Sequence, residues 1–509
     1  MRRVTPERIF FSFVLSIILL FAISCNTKYE DSSPVTAAGP YNVPEAMAGA
    51  DKDNPTDATN DHFFYFSYDD SASTAGAELA KYNLNHNQIP DSSLGRAYEF
   101  LNFEELDGSI TENLGLFDTH MGIWVHLDQD KETSIYELGT YIASPTITKA
   151  ERQNVVITLL LDVSGSMGNA YAYVNLDPES TVKSRLDLAK YAMKELYYYS
   201  LKDGDVVSIV QFSDGSTEAD VLLEGWTYSS ADITNDTTYL DAVNPISTIG
   251  ATNIDAGITM AYKVANRNYD VAKSNRVIIL TDAYANTGET NSTIIANNIS
   301  INNMEGIYFS GLGIGADFQE AFLNELTDIG KGAYFSLITP NDAKRAFNSR
   351  FIALVNIAAK NVHFRLDYPF GLIHTKSAAE EVSQVAVQPT NFSYNSSQFF
   401  LESFILDTSA DISSDISQQT FKLTINYSLA DGTSKTEITE KTVQELLDVN
   451  TINTKNALLI TTLADLIAGK TTCADSILLI LTHYAGFTNP LADEYYDLIN
   501  KFCLLSGNG

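Results

Sequence analysis

Basic residues are scarce. Among 509 residues there are 32 Lys and Arg against 64 Asp and Glu, a formal net charge of −32. Phosphate backbones attract basic surfaces, so this balance argues against a nucleic-acid binder and a polybasic membrane patch. Histidine is thin as well: the seven residues are scattered, and none is paired in sequence as a metalloprotease requires. Cysteine occurs three times, and neither Cys473 nor Cys503 sits in a redox or protease signature. With no evident nucleophile–base pair, the reading is not an enzyme. No internal repeat of solenoid or propeller type is visible. Beyond the N-terminus no apolar run approaches the ~20 residues that span a bilayer, and Ile477–Leu481 reads as a core segment. Hydrophobic residues still make up 45% of the chain, which fits a folded protein of about three or four domains.

The N-terminus is different. Arg2, Arg3 and Arg8 precede a nearly unbroken apolar stretch from Ile9 to Ile23, as in a secretory signal. It ends in Ala22-Ile23-Ser24-Cys25, which resembles a bacterial lipobox with Cys25 as the lipidated mature N-terminus; a plain signal peptide or uncleaved anchor is the alternative. Residues 1–24 are thus expected as a lipoprotein signal peptide. Residues 25–60, polar and without apolar period, are expected as a flexible tether. Lipidation leaves Cys473 and Cys503, which in an exported protein suggest one disulfide, or else two buried free thiols.

Residues 61–151 read as a mixed α/β region, opening with the aromatic stretch His62–Tyr68. From 152 to 354 strands alternate with helices, the pattern of a doubly wound α/β sheet with a parallel core. Val155–Leu161 is unbroken apolar sequence, as expected of a strand buried on both faces. Beyond it the period changes. Val362, Phe364 and Leu366 alternate with polar neighbours, as do Phe421, Leu423 and Ile425, so 355–436 reads as a β-rich domain. Residues 437–509 read as a helical C-terminal region.

The chemistry concentrates at strand ends. Asp162-Val163-Ser164-Gly165-Ser166 follows the first buried strand, where ligands bind in open parallel sheets. It presents one carboxylate and two hydroxyls, oxygen donors suited to a hard cation, with Gly165 expected to allow the tight turn. Gly250-Ala251-Thr252-Asn253 adds a hydroxyl at a helix start, and Val277–Thr281 is a second apolar strand ending at Asp282.

This constellation resembles the von Willebrand factor type A (vWA) domain with a complete metal-ion-dependent adhesion site. Asp162, Ser164, Ser166, Thr252 and Asp282 match all five motif positions, while Ala283 stands where many relatives carry Gly. The resemblance implies Mg²⁺, or Mn²⁺ or Ca²⁺, held by neutral hydroxyls and two carboxylates, leaving a position for an Asp or Glu of a protein partner. Segments around Phe66–Ala75, Gln88-Ile89-Pro90, Tyr98–Phe103 and Ala358–Val362 extend it, over about 61–410, to a family of bacterial vWA lipoproteins. The implied protein is lipid-anchored to a membrane of the bacterial cell envelope, outer membrane or cell surface favoured, and adheres or binds through the metal. A scaffold assembling a complex of its own cell is the alternative. The polar insertion at 169–183 is a candidate partner-contact loop through Tyr171 and Tyr173, or an ordinary surface loop.

Overall fold

A computed structural model describes residues 62–507, apart from 68–72, 105, 107–111, 114, 129–132, 171–181, 232–235, 304–305, 386 and 408–414. Four strands precede the parallel sheet: β1 (Phe63–Phe66), β2 (Glu112–Asn113), β3 (Asp118–Asp128) and β4 (Thr133–Ala143). Between β1 and β2 lie the helices Ala75–Asn85 and Ala97–Glu104.

The central sheet comprises β5 (Val155–Asp162), β6 (Val206–Phe212), β7 (Val221–Thr227), β8 (Ser274–Thr281), β9 (Ile307–Ile314) and β10 (Lys331–Leu337). Its order is β10-β9-β8-β5-β6-β7, parallel except for β7, an antiparallel edge strand that the apolar pattern did not signal. Every residue of β5 is buried, because helices cover both faces and leave no solvent side for a polar residue. Alternate residues feed two cores: Ile157, Leu159 and Leu161 on one face, Leu160, Val210 and Val277 on the other. The chain passes from β5 to β6 on one side and returns to β8 on the other. This makes the carboxyl ends of β5 and β8 the topological switch point, where a crevice opens.

Seven strands follow: β11 (Ile357–Asp367), β12 (Leu372–Ser377), β13 (Val382–Ser383), β14 (Thr390–Ser393), β15 (Ser397–Leu406), β16 (Thr420–Ser428) and β17 (Ser434–Thr442). The period-two pattern is realised here, with Val362, Phe364, Leu366, Phe421, Leu423 and Ile425 all buried. Their partners differ from the expected separation of 61–151 from 355–436. β1 pairs antiparallel with β11, and β4 pairs with β15 over Ile135–Ala143 and Ser397–Ile405. The strands before and after the parallel sheet therefore build two shared antiparallel sheets, β13-β1-β11-β16-β17 with β14 beside β11, and β12-β15-β4-β3-β2. One apolar core, including Phe66, Phe117, Leu138, Phe364 and Phe400, joins them. A strand's alternation shows which face is buried, not which strand lies beside it, and this is why the pairing was not visible in advance.

The last strand, β17, runs past residue 436, so the helical region begins at Val443. Its long helices are Ile452–Ile467, Cys473–His483 and Pro490–Leu505, the last two joined by a Cys473–Cys503 disulfide with Cα atoms 5.7 Å apart. They share a core with the helices Ala75–Asn85 and Ala97–Glu104 and with one face of the parallel sheet. Ile477–Leu481 is the core segment expected only in part: Ile477, Leu479 and Ile480 pack against the core. Leu478 is 48% and Leu481 70% exposed, because the helix packs by one side only. Among the described residues no helix is long and apolar enough to cross a membrane.

A buried ion pair fastens the start of the central sheet. Arg152 and Asp205 have fully buried side chains and meet through both guanidinium Nη atoms. Asp205 also accepts from the backbone N–H of Val155 at 3.0 Å and of Lys202 at 2.8 Å. Removing one partner strands the other charge without water, so Asp205→Ala is expected to lower stability by about 3–5 kcal/mol in urea unfolding. A loss below about 1 kcal/mol would show that the pair is not the fastening.

Candidate functional site

Where β5 ends, the chain leaves the sheet through backbone bonds to its neighbours: Val163 N–H donates to Phe212 O at 3.0 Å, and Ile249 N–H to Val163 O at 2.6 Å. The turn Gly165–Gly168 follows at once and holds the two serines together. Ser164 Oγ and Ser166 Oγ are 3.1 Å apart, and Ser164 N–H donates to Asp162 Oδ1 at 2.8 Å. Gly165 is not what makes the turn possible. Its φ is not left-handed, and a Cβ there would meet only Gly250 O at 3.5 Å, ordinary contact. The glycine that the loop requires is Gly250, with φ +66° and a hypothetical Cβ 2.5 Å from Asp214 Oδ1. Its carbonyl accepts from Gly165 N–H at 3.1 Å, so the two loops are tied.

Thr252 is held by Asn286. Its N–H donates to Asn286 Oδ1 at 2.9 Å, while its carbonyl accepts from the N–H of Asn286 at 3.0 Å. Asp282 follows β8, and Ala283 then takes φ +60° while buried, a conformation in which a Cβ crowds the backbone and where glycine is the easier residue. Asp162, Ser164, Thr252 and Asp282 are all essentially inaccessible, and Ser166 is half-buried.

Two carboxylates thus stand buried at adjacent strand ends. Burial pushes the Asp162 carboxyl up to about 6; hydrogen bonds from Thr281 and Ser164 pull it back, and the Asp282 charge adds to the rise. Thr281 Oγ1 donates to Asp162 Oδ2 at 2.6 Å and accepts from Ala283 N–H at 2.8 Å, linking the two strand ends. Arg185 Nη1 donates to Asp282 Oδ2 at 2.6 Å, and Nη2 to the exposed Asp317 at 2.5 Å. Sequence reasoning missed Thr281, Arg185 and Asn286. Thr281 had a signal, being the hydroxyl residue that closes an apolar strand before Asp282.

One atom remains open. Asp282 Oδ1 is buried with no hydrogen-bond partner, and a buried carboxylate oxygen left so is costly. Among the described residues no group of three or more His, Cys, Asp or Glu is placed to hold a metal ion. A cation here would need the hydroxyls of Ser164, Ser166 and Thr252 beside the two carboxylates, an all-oxygen set that suits a hard divalent ion. Cys25, Tyr171 and Tyr173 lie outside the described residues.

The von Willebrand factor type A domain family matches residues 157–285, which hold all five of these positions. The chain carries a vWA domain. The uncharacterized protein YfbK of Escherichia coli (strain K12) is 25% identical over 237 residues, 46% of this chain and 37% of that protein. Human calcium-activated chloride channel regulator 4 is 28% identical over 180 residues, 35% of this chain and 17% of that one. The chain therefore spans well under half the length of either relative. Among solved structures, a von Willebrand factor type A protein from Catenulispora acidiphila aligns over 79% of this chain and 91% of its own. Its TM-score is 0.43 and its identity 13%.

The raised Asp162 carboxyl has a consequence for the metal-free chain. A carboxyl with a folded pKa above its unfolded value costs stability progressively as pH rises from its ordinary value of 3.8, and the cost is complete above about 6. In chelator, Asp162→Asn is therefore expected to be more stable than wild type near pH 8, by on the order of 2 kcal/mol, with the difference shrinking toward about pH 4.5. Urea unfolding across that range checks it, and a variant less stable than wild type near pH 8 contradicts the buried-charge account.

Proposed function

We propose that this chain is a lipid-anchored cell-envelope protein that binds another protein through a divalent cation at the vWA crevice. The observation that carries the reading is Asp282 Oδ1, a buried carboxylate oxygen without a partner beside a second buried carboxylate and a pair of serine hydroxyls.

The residues divide the work. Asp162 is held by Ser164 N–H and by Thr281, so its orientation is set before any ligand arrives. Arg185 takes one oxygen of Asp282, which fixes the carboxylate and leaves the other without a hydrogen-bond partner. Ser164, Ser166 and Thr252 contribute neutral oxygens and so add no negative charge. A Mg²⁺, Mn²⁺ or Ca²⁺ ion bound there supplies residual positive charge and a coordination position for an Asp or Glu carboxylate of the partner. The chain's acidity sharpens the requirement, since an acidic partner approaching a protein of net charge −32 needs a local positive centre. The role proposed is binding rather than catalysis, at a membrane of the bacterial envelope through lipidated Cys25.

Capture of partners from envelope extracts by the immobilised full chain tests this. Partners retained in millimolar Mg²⁺ are expected to elute in EDTA and to be missing from captures with Asp162→Ala. A complex indifferent to both treatments would sink the proposal.

A further inference from the structure

A cavity of about 460 Å³ lies between the strands β3 and β4 and the helices Ile452–Ile467 and Cys473–His483, and none of its residues belongs to the vWA crevice. Two imidazoles line it. His126, on β3, and His483, the last residue of its helix, hold their ring centroids 4.9 Å apart with the planes at 58°. That spacing falls where a shared ion would set it. At the ~2.0–2.1 Å usual between zinc and an imidazole nitrogen, two rings on one ion have centroids about 4.5 Å apart at a right angle and about 5.1 Å apart at the tetrahedral angle.

The surroundings of His126 are those of a metal ligand. Its Nε2 lies 3.1 Å from Glu137 Oε1, and Glu137, itself buried, also accepts from Ser403 Oγ at 2.6 Å. A carboxylate can only accept, so Nε2 carries the proton, and Nδ1 of the neutral ring keeps a free lone pair. His126 is 9% exposed, and this Nδ1 is buried without a hydrogen-bond partner. Trp124 stacks on the ring at 4.8 Å and 29° and so fixes its plane. Histidines that bind metals give their second ring nitrogen to a carboxylate or a carbonyl in this way, which sets both tautomer and direction.

The charge around the pair permits a cation. The one lysine of the wall, Lys376, is taken by Asp465. Among the described residues no third His, Cys, Asp or Glu converges with the two rings, so the ion's other positions fall to water.

We infer that His126 and His483 hold one transition-metal ion of the borderline class, Zn²⁺, Ni²⁺ or Cu²⁺, with water completing its coordination. Imidazole nitrogen suits these ions, whereas the all-oxygen set around Asp162 and Asp282 suits Mg²⁺. The chain then carries two metal centres of different preference, one on each side of the fold's division between parallel and antiparallel sheets.

Calorimetry of Zn²⁺ into the full-length chain, in the presence of millimolar Mg²⁺, tests the inference. One Zn²⁺ per chain is expected to bind at micromolar concentration. His483→Gln is expected to weaken that binding at least tenfold, and Asp162→Ala to retain it. One equivalent of Cu²⁺ gives a second readout: its electron paramagnetic resonance spectrum is expected to show two equatorial imidazole nitrogens, and one in His483→Gln. Should that variant fail to fold, the wild-type copper spectrum decides. Absence of Zn²⁺ binding at submillimolar concentration overturns the inference, as does wild-type affinity in a folded His483→Gln chain or a copper spectrum without two nitrogens. Loss of the binding in Asp162→Ala also overturns it, since the ion would then sit in the vWA crevice.

Discussion

Burying a carboxylate is expensive unless something positive or a full set of donors meets it, and this chain buries two at adjacent strand ends. Asp162 closes β5 and Asp282 follows β8, both inaccessible to solvent. The arrangement around them reads as a response to that constraint. Thr281 and the Ser164 N–H satisfy Asp162, Arg185 satisfies half of Asp282, and Gly250 bends so that its loop can close over the turn. What these groups leave unmet is one carboxylate oxygen of Asp282, and the hydroxyls of Ser164 and Ser166 lie paired in the neighbouring loop. The sheet topology dictates the place, since the switch point lies at the carboxyl ends of the adjacent strands β5 and β8, where open α/β sheets form a crevice.

The antiparallel layers give the parallel sheet its setting. Strands from before residue 144 pair with strands from beyond residue 356, so the vWA domain is inserted within a second structure rather than strung beside it. Both ends of the inserted domain are thereby fixed to paired strands. The C-terminal helices then pack on the same apolar cluster as the helices near residue 80 and one face of the sheet.

Much of the vWA domain was legible because parallel strands covered on both faces must be apolar throughout, and Val155–Leu161 and Val277–Leu280 are. Four of the five proposed ligand residues were legible because the ends of β5 and β8 locate them, and Thr252 because it opens the helix Ile254–Arg267. Other features had no such signature. Arg185 reaches Asp282 from a helix 97 residues earlier in the chain, a contact no local pattern encodes. Gly165 looked like the turn-maker, but the left-handed backbone belongs to Gly250 and, without glycine's freedom, to Ala283. The pairing of β1 with β11 and β4 with β15 was hidden because alternation reports a face and not a neighbour. Leu478 and Leu481 looked like core for the same reason that any short apolar run does.

The account's central claim is that Asp162, Ser164, Ser166, Thr252 and Asp282 form one divalent-cation site. Isothermal titration of Mg²⁺ into the full-length chain and into its Asp162→Ala variant tests it most directly. The account predicts one ion per wild-type chain and none for the variant. Absence of binding to either protein, with both folded by circular dichroism, would contradict it, as would equal binding to both.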